Sequence, residues 1–183
     1  EASLSNDARI ITTYYQNHGY ADARVLNVKK DSSFNSEKNL NELTITFDIN
    51  EGEKYKFGGM TFQGNKVFSS ERLQTLVRLP VDAVYNETKF QESKMAIQNL
   101  YYENGYTSNR FDTEMKKSAD SRVISYVLHI TENSRSHIED ILIKGNTKTK
   151  EYVIRREIPI EPGDNFSNTK ITNGLRNLYN LQY

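Results

Sequence analysis

Met60-Thr-Phe-Gln-Gly-Asn65 is a stretch that the chain repeats, because Ile141-Leu-Ile-Lys-Gly-Asn146 has the same apolar pattern and the same Gly-Asn ending. The two copies are offset by 145 − 64 = 81 residues. The same offset places Leu73 on Ile154, Val77 on Ile158, Tyr85 on Phe166, Phe90 on Ile171, Ile97 on Leu178 and Leu100 on Leu181. Self-similarity at a fixed period indicates a chain built from repeated structural modules.

The composition excludes several classes of protein. The 183 residues carry 24 Lys and Arg against 24 Asp and Glu, and this zero net charge argues against binding to nucleic acid or to anionic membranes. No cysteine is present, which excludes disulfides and thiolate chemistry. No apolar run approaches the roughly 20 residues of a membrane span. The sequence opens on Glu1 without the features of a signal peptide, so we expect that any such peptide has been removed.

The first 53 residues are predicted to form one helix and two strands. An apolar stripe predicts a helix from Asp7 to Asn17, which His18-Gly19 ends. A strand over residues 23–29 and a polar loop over residues 31–41 are expected to follow. Strict alternation then predicts a strand whose inward side chains are Leu43, Ile45, Phe47 and Ile49.

Residues 54–134 are predicted to form, in order, a strand, two helices and two strands. The first strand (54–62) points Met60 and Phe62 inward and ends at the Gly-Asn turn. Ser69 is the expected cap of a helix to Arg78, and Asn86 of a longer helix to Glu103. Their predicted buried faces are Leu73, Leu76 and Val77, and Phe90, Ile97, Leu100 and Tyr101. Residues 107–115 and 123–130 are the two last strands.

The repeat divides the chain into three parts. Residues 1–53 read as the C-terminal half of a module, 54–134 as a complete βααββ module, and 135–183 as the N-terminal half of a third. The predicted fold class is therefore α+β, with two antiparallel helices on one face of a three-stranded sheet. Because the last two strands form a hairpin, the sheet is expected to be mixed, with order 1-3-2.

In that order the second strand lies at an edge of the sheet. We therefore predict that Arg110, Phe111, Asp112, Thr113, Glu114 and Met115 form an open edge that can pair with an extended polypeptide. The predicted joints between modules are Glu51, Gly52, Glu53 and Lys54, and then Glu132, Asn133, Ser134, Arg135 and Ser136.

The succession of motifs resembles a known family. Phe57 to Asn65, the Ser-capped helix after it and Tyr101-Tyr-Glu-Asn-Gly-Tyr106 are similar to a POTRA domain, as are Ile141 to Asn146 and Val153 to Ile158. The segment Asn50 to Gly59 resembles the join between the third and fourth POTRA domains of the BamA family of outer-membrane β-barrel assembly factors. The resemblance covers essentially the whole chain.

The resemblance implies a role as well as a fold. It implies a periplasmic array at the outer membrane of a diderm bacterium, followed by a membrane-embedded barrel that this chain does not contain. It further implies two classes of partner, unfolded outer-membrane β-barrel proteins and accessory lipoproteins, and no enzymatic activity. The alternative is a structural spacer, as in a two-partner secretion transporter, whose modules set geometry without binding clients.

No catalytic, cofactor or metal site is predicted. Gly59 to Gly64 has the glycine spacing of a phosphate-binding loop, but Val67 stands where Ser or Thr is needed, so a turn is the better interpretation. The three histidines are scattered, and adjacent carboxylates such as Glu139-Asp140 point to opposite faces of a strand. We also expect head-to-tail self-association, since the two terminal parts are complementary halves of one module.

Overall fold

The computed structural model describes residues 2–181. Its elements are α1 (Ala2–Gln16), β1 (Arg24–Asn35), β2 (Leu40–Asn50), β3 (Lys56–Gln63), α2 (Ser70–Gln74), α3 (Glu87–Glu103), β4 (Arg110–Ser118), β5 (Val123–Thr131), α4 (Glu151–Arg155) and α5 (Asn168–Asn180). They form a two-stranded sheet, β1-β2, and a three-stranded sheet of order β3-β5-β4.

The hairpin of β1 and β2 is longer than the sequence predicts. The strands pair antiparallel from Arg24 opposite Asn50 to Asn35 opposite Leu40, so the polar loop predicted over residues 31–41 is wrong. The side chain of Asn35 accepts from the amides of Glu37 and Lys38 at 3.1 and 3.2 Å, which confines the reversal to residues 36–39. Pairing with a complementary strand outweighs the low strand propensity of the Ser and Asn residues here.

The alternation in β2 is present, but only part of its apolar face is covered. Phe47 and Ile49 are half-buried, whereas Leu43 and Ile45 are 61% and 38% exposed, so the prediction that these two are inward is wrong. A face that alternation makes apolar is buried only where another element packs against it. In this part of the chain α1, which begins at Ala2 rather than Asp7, packs on β1.

The three-stranded sheet has the predicted order 1-3-2. β3, β4 and β5 are the first, second and third strands of residues 54–134, and their order in the sheet is β3-β5-β4. The short turn 119–122 makes β4 and β5 an antiparallel hairpin. The predicted fold class is thereby confirmed. β4 begins at Arg110 rather than at residue 107, because Asn109 donates its side-chain N–H to the Tyr106 carbonyl at 2.6 Å and holds a turn there.

A glycine bulge interrupts β3. Phe57 and Met60 are both buried although they are three residues apart, which a regular strand does not permit. Gly59, at φ +110°, resets the alternation, and a side chain on Gly58 would meet Val123 and Ser125 of β5. The neighbouring strand of the same sheet therefore lies too close to Gly58 for a residue with a side chain.

The predicted helix caps are present. Ser69 Oγ accepts from the Arg72 amide at 3.1 Å and Asn86 Oδ1 from the Lys89 amide at 3.0 Å. α2 ends at Gln74 instead of residue 78, because the chain turns so that the Arg78 amide donates to Ser93 Oγ at 2.8 Å. The apolar side chains that are fully or almost fully buried here are Leu73, Leu79, Phe90, Ile97 and Tyr101, while Leu76, Val77 and Leu100 are half-buried.

The repeated Gly-Asn turn has the same geometry in both copies. Gly64 and Gly145 have φ of +85° and +84°. Asn65 donates its side-chain N–H to the carbonyl of Phe68 at 3.0 Å, and Asn146 donates to that of Thr149 at 3.1 Å. The stretch before the second turn, Ile141 to Leu142, has no strand partner among residues 2–181 and is not itself a strand.

The contacts between backbone segments divide the chain into two compact units. One comprises Glu1–Thr61, Val77–Ser93 and Glu114–Val127, and the other Phe62–Leu76, Lys94–Thr113 and Leu128–Tyr183. The two predicted joints therefore lie in different units.

Candidate functional site

The predicted edge residues Arg110 to Met115 all lie on β4, a nine-residue strand with β5 on one side only. Every residue of β4 except Phe111 is exposed. The half-buried Phe111 ring packs edge-on against the Tyr101 ring at 5.8 Å between centroids, which anchors the start of the strand. The other edge of β4 faces no strand among the described residues.

The side chains of β4 alternate in character. Phe111, Thr113 and Met115 (52% exposed) share one face. On the opposite face Arg110 and Asp112 form an ion pair at 3.7 Å. The next two residues on that face, Glu114 and Lys116, are also charged. A strand added at this edge would therefore meet Phe111 and Met115 interspersed with Thr113 and Lys117 on one face, and a mostly charged row on the other.

The far end of β4 is tied to the loop after α1. Lys117 Nζ lies 2.9 Å from both carboxylate oxygens of Asp22 and 5.6 Å from the centre of the Tyr55 ring. The hydrogen bond to Asp22 raises the pKa of Lys117 and burial lowers it, with a net upward shift. The sequence offers no local signal for this pair, because 95 residues separate its members.

The first predicted joint surrounds Gly19. The amide of Tyr55 donates to the Gly19 carbonyl at 2.8 Å, and the stem of Lys54 lies so close that a side chain at Gly19 would be 2.9 Å from it. Glu53 forms an ion pair with Arg122 at 3.1 Å. Gly52 adopts φ +68° and Glu51 is exposed.

The second predicted joint surrounds Gly105. The amide of Ser136 donates to the Gly105 carbonyl at 2.7 Å, and Arg135 Nε donates to the Asn104 carbonyl at 2.7 Å. Asn133, at φ +58°, donates its side-chain N–H to the Ser108 carbonyl, and Ser134 is exposed. Both joints thus place a main-chain N–H on the carbonyl of a left-handed glycine.

Glu132 was predicted as a joint residue. In the structure its carboxylate accepts hydrogen bonds from groups within residues 54–134. It accepts from the amides of Lys66 and Val67 at 2.9 and 3.0 Å and from the Tyr101 hydroxyl at 2.7 Å. The end of β5 is thereby fastened to the Gly-Asn turn and to α3. Burial, and then the bond to Glu132, raise the pKa of Tyr101.

Residues 2–181 contain no group of three or more His, Cys, Asp or Glu side chains placed to hold a metal ion. Among these residues no helix has the length and apolar character to cross a membrane. Gly59 to Gly64 lies in β3 and the turn after it, as the turn interpretation predicts.

Comparison with known proteins places the repeat in a family. The family model for POTRA, described as a surface antigen variable number repeat, matches residues 1–52, 55–133 and 136–183. A candidate outer membrane protein assembly factor of Treponema pallidum (strain Nichols) is 41% identical over 183 residues, all of this chain and 22% of the relative. The outer membrane protein assembly factor BamA of Nitratidesulfovibrio vulgaris is 29% identical over 98% of this chain and 22% of its own length.

Among solved structures, the crystal structure of Haemophilus influenzae BamA POTRA3-5 has a TM-score of 0.74 at 23% identity. That match covers 98% of this chain and 70% of the other, and it shows a shared fold. The chain spans about a fifth of the length of the curated relatives it matches.

Proposed function

Because the chain belongs to the POTRA family, as tandem POTRA domains of a BamA-like protein, we propose that it is a polypeptide-binding scaffold for outer-membrane protein assembly. In this proposal it captures unfolded outer-membrane β-barrel proteins by pairing their strands with the open edge of β4. The observation that carries the proposal is the position of this nine-residue strand at the edge of the sheet.

The length and pattern of β4 suit such a client. A transmembrane β-strand has about 9–11 residues and alternates apolar with polar side chains. β4 has nine residues, with apolar Phe111 and Met115 on one face beside Thr113 and Lys117, and a mostly charged row on the other face. Main-chain hydrogen bonds would supply the affinity, which makes pairing tolerant of client sequence.

Each pairing is expected to be weak and reversible. Ordering an unfolded segment offsets much of the gain from its new hydrogen bonds. Several POTRA domains in series raise the effective concentration of edges around one client and recover affinity. A scaffold that must release its clients benefits from this division of binding among weak sites.

The family relationship also supports a proposal for the location and the neighbouring domains of this chain. In it residues 1–53 and 135–183 are parts of neighbouring POTRA domains, and the array lies on the periplasmic face of the outer membrane. Accessory lipoproteins dock on the array, and a barrel of the same protein follows it. The chain acts through binding and positioning, without an enzymatic step.

The test uses NMR titration of the isotope-labelled chain with a synthetic peptide corresponding to one transmembrane strand of an outer-membrane barrel. We expect the largest shifts in residues 110–118. Proline has no N–H, so whichever of Thr113→Pro and Glu114→Pro removes an outward N–H should weaken capture. Thr113→Ala and Glu114→Ala keep the N–H and are the matched controls. Capture that survives both proline variants would show that edge pairing is the wrong mechanism.

The hydrogen-bonded joints favour a second candidate, a structural spacer that sets the angle between domains and binds no client. In that case the same titration should produce shifts confined to the joints, or none. Shifts along β4 would rule the spacer out as the whole function.

A further inference from the structure

The two joints are copies of each other at the level of single hydrogen bonds. The amide of Tyr55 donates to the Gly19 carbonyl, and the amide of Ser136, 81 residues after Tyr55, donates to the Gly105 carbonyl. In addition, the Tyr85 amide donates to the Tyr55 carbonyl at 3.0 Å. Its counterpart, the Phe166 amide, donates to the Ser136 carbonyl at 3.1 Å. Each joint lies entirely within one compact unit.

A side chain completes each joint by bonding to the first turn of the next long helix. In the first joint, Asn17 Oδ1 accepts from the amide of Thr88, the second residue of α3, at 2.9 Å. In the second, Glu103 Oε2 accepts from the amide of Thr169, the second residue of α5, at 3.1 Å. Thr88 and Thr169 occupy equivalent positions in the 81-residue repeat.

The acceptors also occupy equivalent positions. Asn17 lies two residues before Gly19 and Glu103 two residues before Gly105, and both glycines are left-handed, at φ +97° and +93°. Amides in the first turn of a helix have no partner within the helix, and they are usually satisfied by the helix's own cap residue. Here one of them is satisfied by a side chain at the end of an earlier long helix instead, because Asn17 directly follows α1 and Glu103 is the last residue of α3.

Each acceptor makes one further bond at its joint. Asn17 Nδ2 donates to Thr88 Oγ1 at 2.9 Å, and Ser167 Oγ donates to Glu103 Oε2 at 3.3 Å. Ser167 is also the cap of α5, because its oxygen accepts from the Lys170 amide at 3.3 Å. The carboxylate is further favoured by the positive end of the α5 dipole.

We infer that Asn17 and Glu103 are positioning residues that orient each POTRA domain on the one before it, by capping the next long helix from outside. Because the capping side chain belongs to the preceding domain, the position of the start of this helix depends on the position of that domain. The inference goes beyond the proposed function, because it concerns the joints and not the client-binding edge.

The sharpest test is made at the second joint. The chain has no cysteine, so Asp112→Cys and Arg176→Cys, two exposed positions of one compact unit, can carry spin labels for electron–electron distance measurement. In this labelled background Glu103→Ala should broaden the distance distribution, and Glu103→Gln, which keeps an acceptor oxygen, should restore it. Glu139→Ala, which removes an exposed carboxylate, is the control.

Hydrogen exchange gives a second readout in the unlabelled protein. Loss of a hydrogen bond to a charged acceptor should speed exchange of the Thr169 amide about tenfold or more. If Glu103→Ala loses helix content, Asn17→Ala decides at the first joint, where loss of the bond to the Thr88 amide should speed exchange of that amide and unchanged exchange would overturn the assignment. An unchanged distance distribution in Glu103→Ala, or equal broadening in Glu103→Gln, would overturn the assignment.

Discussion

Replacement of Glu132 by alanine tests whether one carboxylate holds the end of β5 in place. The change leaves three donors without their acceptor, the amides of Lys66 and Val67 and the hydroxyl of Tyr101. The two amide bonds are at the surface, where water can replace the carboxylate, so each contributes up to about 1 kcal/mol. Tyr101 is fully buried, and the loss of its charged partner costs about 1.5–3 kcal/mol.

We therefore expect Glu132→Ala to lower the free energy of unfolding by about 2–4 kcal/mol. Urea unfolding followed by circular dichroism measures this change, and hydrogen exchange of the Lys66 and Val67 amides reports the local bonds. Glu132→Gln keeps one acceptor and should lose roughly half as much. Glu139→Ala is the exposed control.

A double-mutant cycle separates the buried bond from the surface ones. Tyr101→Phe removes the hydroxyl, so the donor left unpaired in Glu132→Ala is absent from the double variant. We expect a coupling energy of about 1.5–2 kcal/mol between the two positions. Additive losses, or unchanged exchange at Lys66 and Val67 in Glu132→Ala, would refute the reasoning.

The remaining predictions concern pH, backbone conformation and association. The pKa values of Tyr85, Tyr101 and Tyr126 are raised above the ordinary value of 10, chiefly by burial. These hydroxyls therefore stay neutral in the folded chain at pH values where they ionise in the unfolded chain. The contribution of these tyrosines to the free energy of unfolding should be complete below pH 10. Above pH 10 that free energy should fall, by up to about 1.4 kcal/mol per pH unit for each tyrosine. A urea midpoint that stays constant from pH 9 to 11 would contradict this. Gly64→Ala should lower the thermal unfolding temperature of the protein more than Gly163→Ala does. Both glycines have positive φ, but only at Gly64 would the new side chain clash with a backbone carbonyl. Equal effects would count against the argument. The exposed apolar side chains of the β1–β2 hairpin should drive association at high concentration, which light scattering detects and a strictly monomeric chain would disprove.

Local patterns were sufficient for most of the fold. The helix caps at Ser69 and Asn86 and the left-handed stop at Gly19 depend on a few neighbouring residues, so their signals are local. The order of the central sheet followed from the expected hairpin of its last two strands, and the structure has that order. Where a neighbouring strand decides the outcome, as in residues 31–41, local propensity gave a wrong loop.

The sequence by itself determined the repeat, the βααββ order and the edge position of β4, because each depends on periodicity and on contacts between near neighbours. Tertiary structure decided which apolar faces are covered, since Leu43 alternates correctly and is still exposed. It also decided the partners of Asn17, Glu103 and Lys117, which lie 71, 66 and 95 residues away in the chain. A hydrogen bond requires two groups to meet within about 3 Å, and for groups so far apart in sequence only the completed fold brings them together.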